Sequence, residues 1–456
     1  MQSSLRTVLR RGISERPAPD RILLGTVALL SLLGLVMVYS TTFYWSYVEH
    51  ANPLTVFSNQ LRAFGIGLVG FTILAVVDFA LVRRVALPLL GLTVLSLLWV
   101  EFAGVSVFGA QRSLANGSYQ PSEFAKLGLS IYAAAWLAGR RKELRTFTEG
   151  LLPYGVVIGF VIGLVLMQPD LSTAFVLSVV MLTMYFMSEA SVGQILLVLG
   201  TFALLFVIMV QVNDHASERL STFLASVADP WRTKDYHIRQ LMLTLGSGGW
   251  LGHGIGASYQ KFSFLPTPHT DSIVAVLVDE MGFVGLIFFL GLVGVFVWRG
   301  VSISMNSRSA FGAYLAVGIT VWVAVQTSMN LLSVLALIPF TGVPVPFISY
   351  GGSSLVSLLL ACGMLASISR GSVMDTATAP AEAAAEQKRE PSKRRIQRNG
   401  QLTFLASHDL SRWNRRPRAA GAERPARAWS HAQEQLERLR RRFRRQVTGR
   451  AVRRRE

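Results

Sequence analysis

The chain has 456 residues, 51% of them hydrophobic and only 15% charged, with a mean hydropathy of +0.44. An average soluble domain is roughly 25% charged, so the composition excludes a single water-soluble core and puts most of the length in lipid. The formal charge of +18 would suggest a nucleic-acid partner, but residues 371–456 hold 22 Lys and Arg against 9 Asp and Glu, a surplus of +13, so the rest is near balance and no such partner is expected.

Residues 1–21 are a basic N-terminal segment. Apolar stretches of about 20 residues, the length that crosses a bilayer, then recur through residue 370. Ten spans are predicted, over 22–42, 60–80, 85–105, 122–139, 150–167, 170–188, 191–212, 272–298, 309–333 and 350–369. The first is followed by no small-residue cleavage pattern and is expected to be retained. With a cytoplasmic N-terminus the inside loops hold Arg83 and Arg84, then Arg140, Arg141, Lys142 and Arg145, then Arg299 and Arg308, and finally Arg370 with the basic tail. Positive charge concentrates on the cytoplasmic side of membrane proteins, so both termini are placed there. The fold class is therefore an all-α polytopic membrane protein of the cytoplasmic membrane. The one cysteine, Cys362, falls in the last span, which excludes a disulfide framework and a cysteine-ligated metal.

The outside receives residues 106–121, the turn Gln168-Pro169-Asp170, the loop 339–349 and one long insertion, 213–271, between spans seven and eight. Loops beyond about 15 residues are usually functional or disordered. This one carries Trp231, Tyr236, Trp250 and Phe264 among polar residues, and is expected to pack on the outer membrane surface. No clear internal repeat marks an inverted-repeat transporter. The tail, 371–456, begins as an Ala/Glu-rich linker; further on, Leu436, Leu439 and Phe443 stand at helical spacing among arginines. It reads either as a basic amphipathic helix on the anionic inner leaflet or as a disordered polybasic segment, without a catalytic part.

Ionisable groups at membrane depth are expensive and mark candidate sites. Span four opens with Gln120-Pro121-Ser122-Glu123-Phe124-Ala125-Lys126; Glu123 and Lys126 are three apart on one helical face, either as a neutralising pair or as a grip for a substrate phosphate. Asp170 suits a helix N-cap and faces the outside. The run from Gly246 to Gly256 has enough glycine to bring backbone N–H groups up to a phosphate. Asp271 lies where the long loop re-enters the membrane, as an N-cap shared with Thr270 or as a partly desolvated carboxylate within reach of an aqueous substrate. The loop 339–354, rich in proline and glycine, cannot form a regular span and is tolerated only where it lines a cavity; Gln326 and Asn330 on the preceding span would face it. No Walker A motif, dinucleotide fingerprint or zinc-spaced histidine pair occurs, so the energy of any reaction must arrive in the substrate.

The blocks Gly109-Ala110-Gln111-Arg112, 120–126, 168–174, Asp229-Pro230-Trp231, 240–256, 265–282 and 339–354 together resemble the SEDS family (shape, elongation, division and sporulation), represented by RodA, FtsW and SpoVE. The resemblance implies a SEDS membrane domain over 22–370. It implies a glycosyltransferase that polymerises lipid II into peptidoglycan strands and releases undecaprenyl pyrophosphate. The expected partners are a class B penicillin-binding protein and other divisome or elongasome membrane proteins. It marks Asp271 as the catalytic residue. Arg112, Glu123, Lys126, Gln168, Asp170, Arg239, Gln240, His269, Asn330 and Ser349 become expected substrate-binding positions, and Glu280 matches the acid of the Glu-Leu-Gly block. A divalent cation, Mg or Mn, is compatible with a pyrophosphate leaving group, though no dedicated metal site is seen. This chain departs from the pattern at Ser113, where the family usually has Trp, at Ser172, at His237, where glutamine is common, and at Asp279. A lipid II flippase and a non-catalytic scaffold are the rival readings.

Overall fold

The computed structural model describes residues 17–371, apart from 104, 108–109, 114–118, 141–143, 145, 169, 189–190, 195, 263 and most of 202–234; side chains are undescribed over 103–118. The side chain of Arg112, the block 229–231 and the basic tail lie outside the described residues.

The helices are α1 (Arg21–His50), α2 (Thr55–Val76), α3 (Phe79–Arg84), α4 (Ala86–Ala103), α5 (Pro121–Gly139), α6 (Leu152–Met167), α7 (Leu171–Phe186), α8 (Tyr236–Ser247), α9 (Ile273–Asn306), α10 (Ala310–Val334) and α11 (Gly352–Ser369). A short antiparallel hairpin, β1 (Val105–Val107) with β2 (Ala110–Ser113), follows α4. A π-helical turn, Phe147–Leu151, leads into α6. Among the described residues six helices are long and apolar enough to cross a membrane: α1, α2, the π-turn joined to α6, α9, α10 and α11. The remaining predicted spans fall on α4, α7 and the stretch Val192–Thr201, which are shorter apolar helices, and on α5, which carries Glu123 and Lys126.

One predicted span and the predicted loop differ for identifiable reasons. The second starts earlier and ends at Val76, because Val77 is extended and the Asp78 side chain accepts from Ala80 N at 2.9 Å, capping a separate α3. The long outer loop is not irregular throughout: Asp235 accepts from the backbone N–H of His237 and Ile238 and starts α8. That pattern, an N-cap acid with its carboxylate at the positive helix end, is worth about 1 kcal/mol.

In the bundle α10 is the central column, packed on α5, α7, α9 and α11, with Leu315, Ala316, Ile319, Trp322 and Val323 buried. By contrast α2 is largely exposed on one side through Leu61, Ile66, Val69 and Ile73, the apolar face that lipid requires. At the start of α1, Asp20 caps the helix through Leu23 N at 3.0 Å, pairs with Arg299 of α9, and donates its own N–H to Ser369 Oγ of α11 at 3.1 Å. Arg370 reaches Pro17 O and Ala75 O, each at 3.2 Å, so α1, α2, α9 and α11 are tied together here.

Burial pushes the Asp20 carboxyl up, but the Arg299 guanidinium and the Leu23 and Ile22 N–H groups outweigh it and hold it below its ordinary 3.8. A carboxyl depressed in the folded state stabilises above its unfolded value, and that contribution is lost as pH falls through the folded one. The melting temperature should therefore drop as pH falls below 3.8, and Asp20→Asn should flatten that acid limb in a differential scanning fluorimetry series.

Helix α9 is not continuous. Gly282 has φ 70 and ψ −171, which breaks the helix ten residues in, and residues 248–254 pack against the break. His253 N and Gly254 N donate to Asp279 O and Glu280 O at 3.0 and 2.9 Å; Phe283 N and Val284 N donate to Gly249 O and Trp250 O at 3.0 and 3.2 Å. The glycine run thus supplies the backbone partners that a broken helix lacks. Two of the run's N–H groups, those of His253 and Gly254, are therefore committed to α9 rather than open to a phosphate.

Candidate active site

The loop 339–351 organises the site, because polar groups from separate helices end on it. Asn330 of α10 donates through Nδ2 to Val343 O at 2.7 Å and to Asp271 O at 2.8 Å. Gln326, one turn earlier, donates to Pro344 O at 2.7 Å. Ser172, at the start of α7, donates to Thr341 O, and Thr341 N donates to Ser333 Oγ at 3.1 Å. The loop is bound in turn to the segment before α9: Ser349 Oγ donates to Thr270 O at 2.6 Å, and Tyr350 N donates to His269 O at 2.8 Å.

These bonds hold Asp271. Its side chain is half-buried, and a methyl group at Gly342 would lie 3.5 Å from its Oδ2. Gly342 has φ 61, a left-handed conformation that favours glycine. Ser272, not Asp271, stands at the N-cap position of α9, and its side chain makes no capping hydrogen bond. Ser272 is fully buried; its hydroxyl donates to Pro266 O at 2.9 Å, and His237 Nε2 lies 3.0 Å from the same oxygen. His269 stacks on Trp45 of α1 at 4.7 Å, and burial pushes its pKa down to about 4, so it is neutral at pH 7.

A second cluster sits behind the loop. Lys126 Nζ lies 2.8 Å from Glu123 Oε1 and 3.0 Å from Gln326 Oε1, over the Trp322 ring at 5.1 Å. The i,i+3 spacing in α5 sets this pair. Asp170 caps α7 through Thr173 N at 3.1 Å and faces Ser122 Oγ at 3.3 Å and Gln120 Nε2 at 3.4 Å through its other oxygen. Among the described residues, Glu123 Oε2, Asn330 Oδ1, Thr341 Oγ1 and His269 Nδ1 are buried with no hydrogen-bond partner.

Thus Asp271, His269, Asn330 and Ser349 meet at one loop, and Glu123 and Lys126 join them through Gln326. Asp170 belongs to the same region through its neighbour Ser172. Gln168 instead donates to Leu97 O at 3.0 Å, on α4. Gln240 is buried on α8, while Arg239 is exposed there, stacked over Tyr236 at 5.9 Å. The described geometry does not tie either to Asp271.

One buried pair has no signal in sequence spacing. Lys261 of the long loop bonds Glu280 Oε1 at 2.6 Å, Ser40 Oγ of α1 at 2.9 Å and Gly256 O at 2.8 Å. Both side chains of the ion pair are almost wholly buried. Removing one member leaves a charge uncompensated, at about 3–5 kcal/mol. Lys261→Met should lower thermal stability by that amount, and Lys261→Met combined with Glu280→Gln should recover much of it, as read by melts of the detergent-solubilised protein.

An α-helical, polytopic membrane protein with a polar site buried among its helices is the class that this architecture defines. The FtsW/RodA/SpoVE family, described as cell cycle protein, matches residues 20–373, and the chain belongs to it. It is 35% identical over 359 residues to a probable peptidoglycan glycosyltransferase FtsW from Trichlorobacter lovleyi, covering 77% of this chain and 93% of that one. It is 33% identical to stage V sporulation protein E of Bacillus subtilis, covering 78% and 98%. Among solved structures it resembles a chain from a peptidoglycan synthase complex, studied for the coordination of polymerization and crosslinking, with TM-score 0.63, 28% identity, and 77% and 98% coverage. The rod shape determining protein RodA of Thermus thermophilus gives TM-score 0.57 at 27% identity, covering 77% and 97%.

Proposed function

We propose that the protein is a peptidoglycan glycosyltransferase that polymerises lipid II at the outer face of the bacterial cytoplasmic membrane, with Asp271 as general base. Asp271 takes the proton of the GlcNAc 4-hydroxyl on the incoming lipid II. The freed oxygen attacks the anomeric carbon of the strand's terminal MurNAc with inversion, and undecaprenyl pyrophosphate leaves. The observation that carries this reading is the convergence of α7, α10 and the segment before α9 on the loop 339–351, with the Asp271 carboxylate facing it. The buried polar atoms around that loop with no partner among the described residues are hydrogen-bonding capacity suited to a sugar.

Charge on the leaving pyrophosphate needs cationic stabilisation. Lys126 is offset by Glu123, which favours a positioning part for that pair, while the exposed Arg239 keeps its charge at the surface. Arg112 is the third candidate. Among the described residues no three His, Cys, Asp or Glu side chains gather as a metal cage; a Mg or Mn ion, where used, would come with the pyrophosphate. Asp170 and His269 support the region around the loop 339–351, whereas Gln168 and Gln240 are carried by the family pattern alone. A class B penicillin-binding protein is the expected transpeptidase partner, alongside other divisome or elongasome proteins, and the arginine distribution puts both termini in the cytoplasm.

The test is purified full-length protein incubated with lipid II in detergent, with and without its transpeptidase, and strands resolved on gels. Glycan strands are expected. No strands under either condition, together with lipid II movement across vesicles, overturns the reading in favour of a flippase.

A further inference from the structure

His237 lies on α8, in the long outer loop, far in sequence from Asp271. Its Nε2 is 3.0 Å from Ser272 Oγ, and its ring packs on Phe340 at 4.1 Å between centroids. Ser272 directly follows Asp271, and Phe340 is two residues from Gly342, which the Asp271 carboxylate faces. The ring therefore bridges the two strands of chain that flank the carboxylate.

The protonation state follows from the hydrogen-bond count. A serine hydroxyl has one proton to donate, and Ser272 gives it to Pro266 O at 2.9 Å. At Ser272 Oγ the histidine must then be the donor, which fixes the Nε2–H tautomer in neutral His237. Burial lowers its pKa, with Asp235 opposing, so the neutral form holds at pH 7.

We propose that His237 is a positioning residue for the glycosyl transfer: its Nε2–H anchors Ser272 and its ring braces Phe340, fixing the Asp271 carboxylate against the loop 339–351. This rests on Asp271 as the base. His237 itself touches no reacting atom in this scheme. Small displacements of a catalytic group lower turnover strongly, about 100-fold for 1 Å.

The experiment compares His237→Leu, which keeps bulk and loses the donor, with His237→Gln, whose side-chain amide restores an N–H at similar reach. Ser272→Ala removes the acceptor and reports the same bond from the other side, should His237→Leu not fold. Steady-state polymerisation of lipid II by the full chain with its transpeptidase is the readout. His237→Leu and Ser272→Ala should lower kcat by about 10- to 100-fold with KM for lipid II little changed. The double variant should be no slower than either, and His237→Gln should regain most of the rate. Wild-type kcat in His237→Leu or in Ser272→Ala, or a Gln variant as slow as the Leu variant, overturns the proposal. Asp271→Asn run alongside separates the two ideas: an active Asp271→Asn sinks the base assignment, whereas an inactive one beside a wild-type-like His237→Leu sinks only the positioning role.

Discussion

Asp271→Asn is expected to lower glycan-strand formation by about 10²- to 10⁴-fold, the usual contribution of a general base. Asparagine has nearly the same shape, and the contacts that hold this segment run through backbone carbonyls: Asn330 to Asp271 O and Ser349 to Thr270 O. The fold and lipid II binding should therefore survive, so that kcat falls while binding of labelled lipid II stays within a few fold. Asp271→Glu keeps the carboxylate but displaces it by about one methylene from its place facing Gly342. It should retain only a small part of the rate. Strand formation by Asp271→Asn at the wild-type rate would remove the base from this mechanism.

The membrane architecture was legible because its cause is local: apolar stretches of lipid-crossing length stand in the chain itself, and every predicted span overlaps a helix. The same holds for Glu123 and Lys126, whose three-residue spacing is enough to pair them. Asp271 was different. Its position at a helix start allowed a capping role equally well, and the family's His-Thr-Asp block, with no local signal to match it, singled it out. In the structure Ser272 rather than Asp271 occupies the N-cap position of α9.

Other features stayed hidden because their partners are remote. Nothing near Lys261 tells that it will meet Glu280 and Ser40, and nothing near His237 tells that it will meet Ser272 and Phe340. The glycine run was visible, but its packing against the break in α9 was not. Glycine density reports close backbone approach, and the sequence does not say whether the approaching group is a phosphate or another stretch of protein.

The consequence of that close approach is the second large effect. Gly252 and Gly282 face each other across the α9 break: a Cβ on Gly252 would fall 2.3 Å from Glu280 O, and a Cβ on Gly282 would fall 2.3 Å from Trp250 O. Both overlaps are with backbone, so no side chain can rotate away. Both residues also have positive φ, 73 and 70, which adds about 1–3 kcal/mol of strain for any other residue. To accept a methyl group the glycine segment must move off α9. That breaks bonds from His253 N and Gly254 N on one side and from Phe283 N and Val284 N on the other, stranding backbone groups at membrane depth. Gly252→Ala and Gly282→Ala should each destabilise by more than about 4 kcal/mol, the range reserved for such structural breaks. In fluorescence-detected size-exclusion chromatography the monodisperse peak should shrink sharply for either variant. Gly291→Ala, farther along the same helix with nothing within 4 Å of the added methyl, should leave it unchanged. The break also sets how the first ten residues of α9, which directly follow Asp271 and Ser272, are angled against the rest of the helix. Any suppressor of Gly282→Ala that restores folding by straightening α9 should restore protein yield without restoring polymerisation.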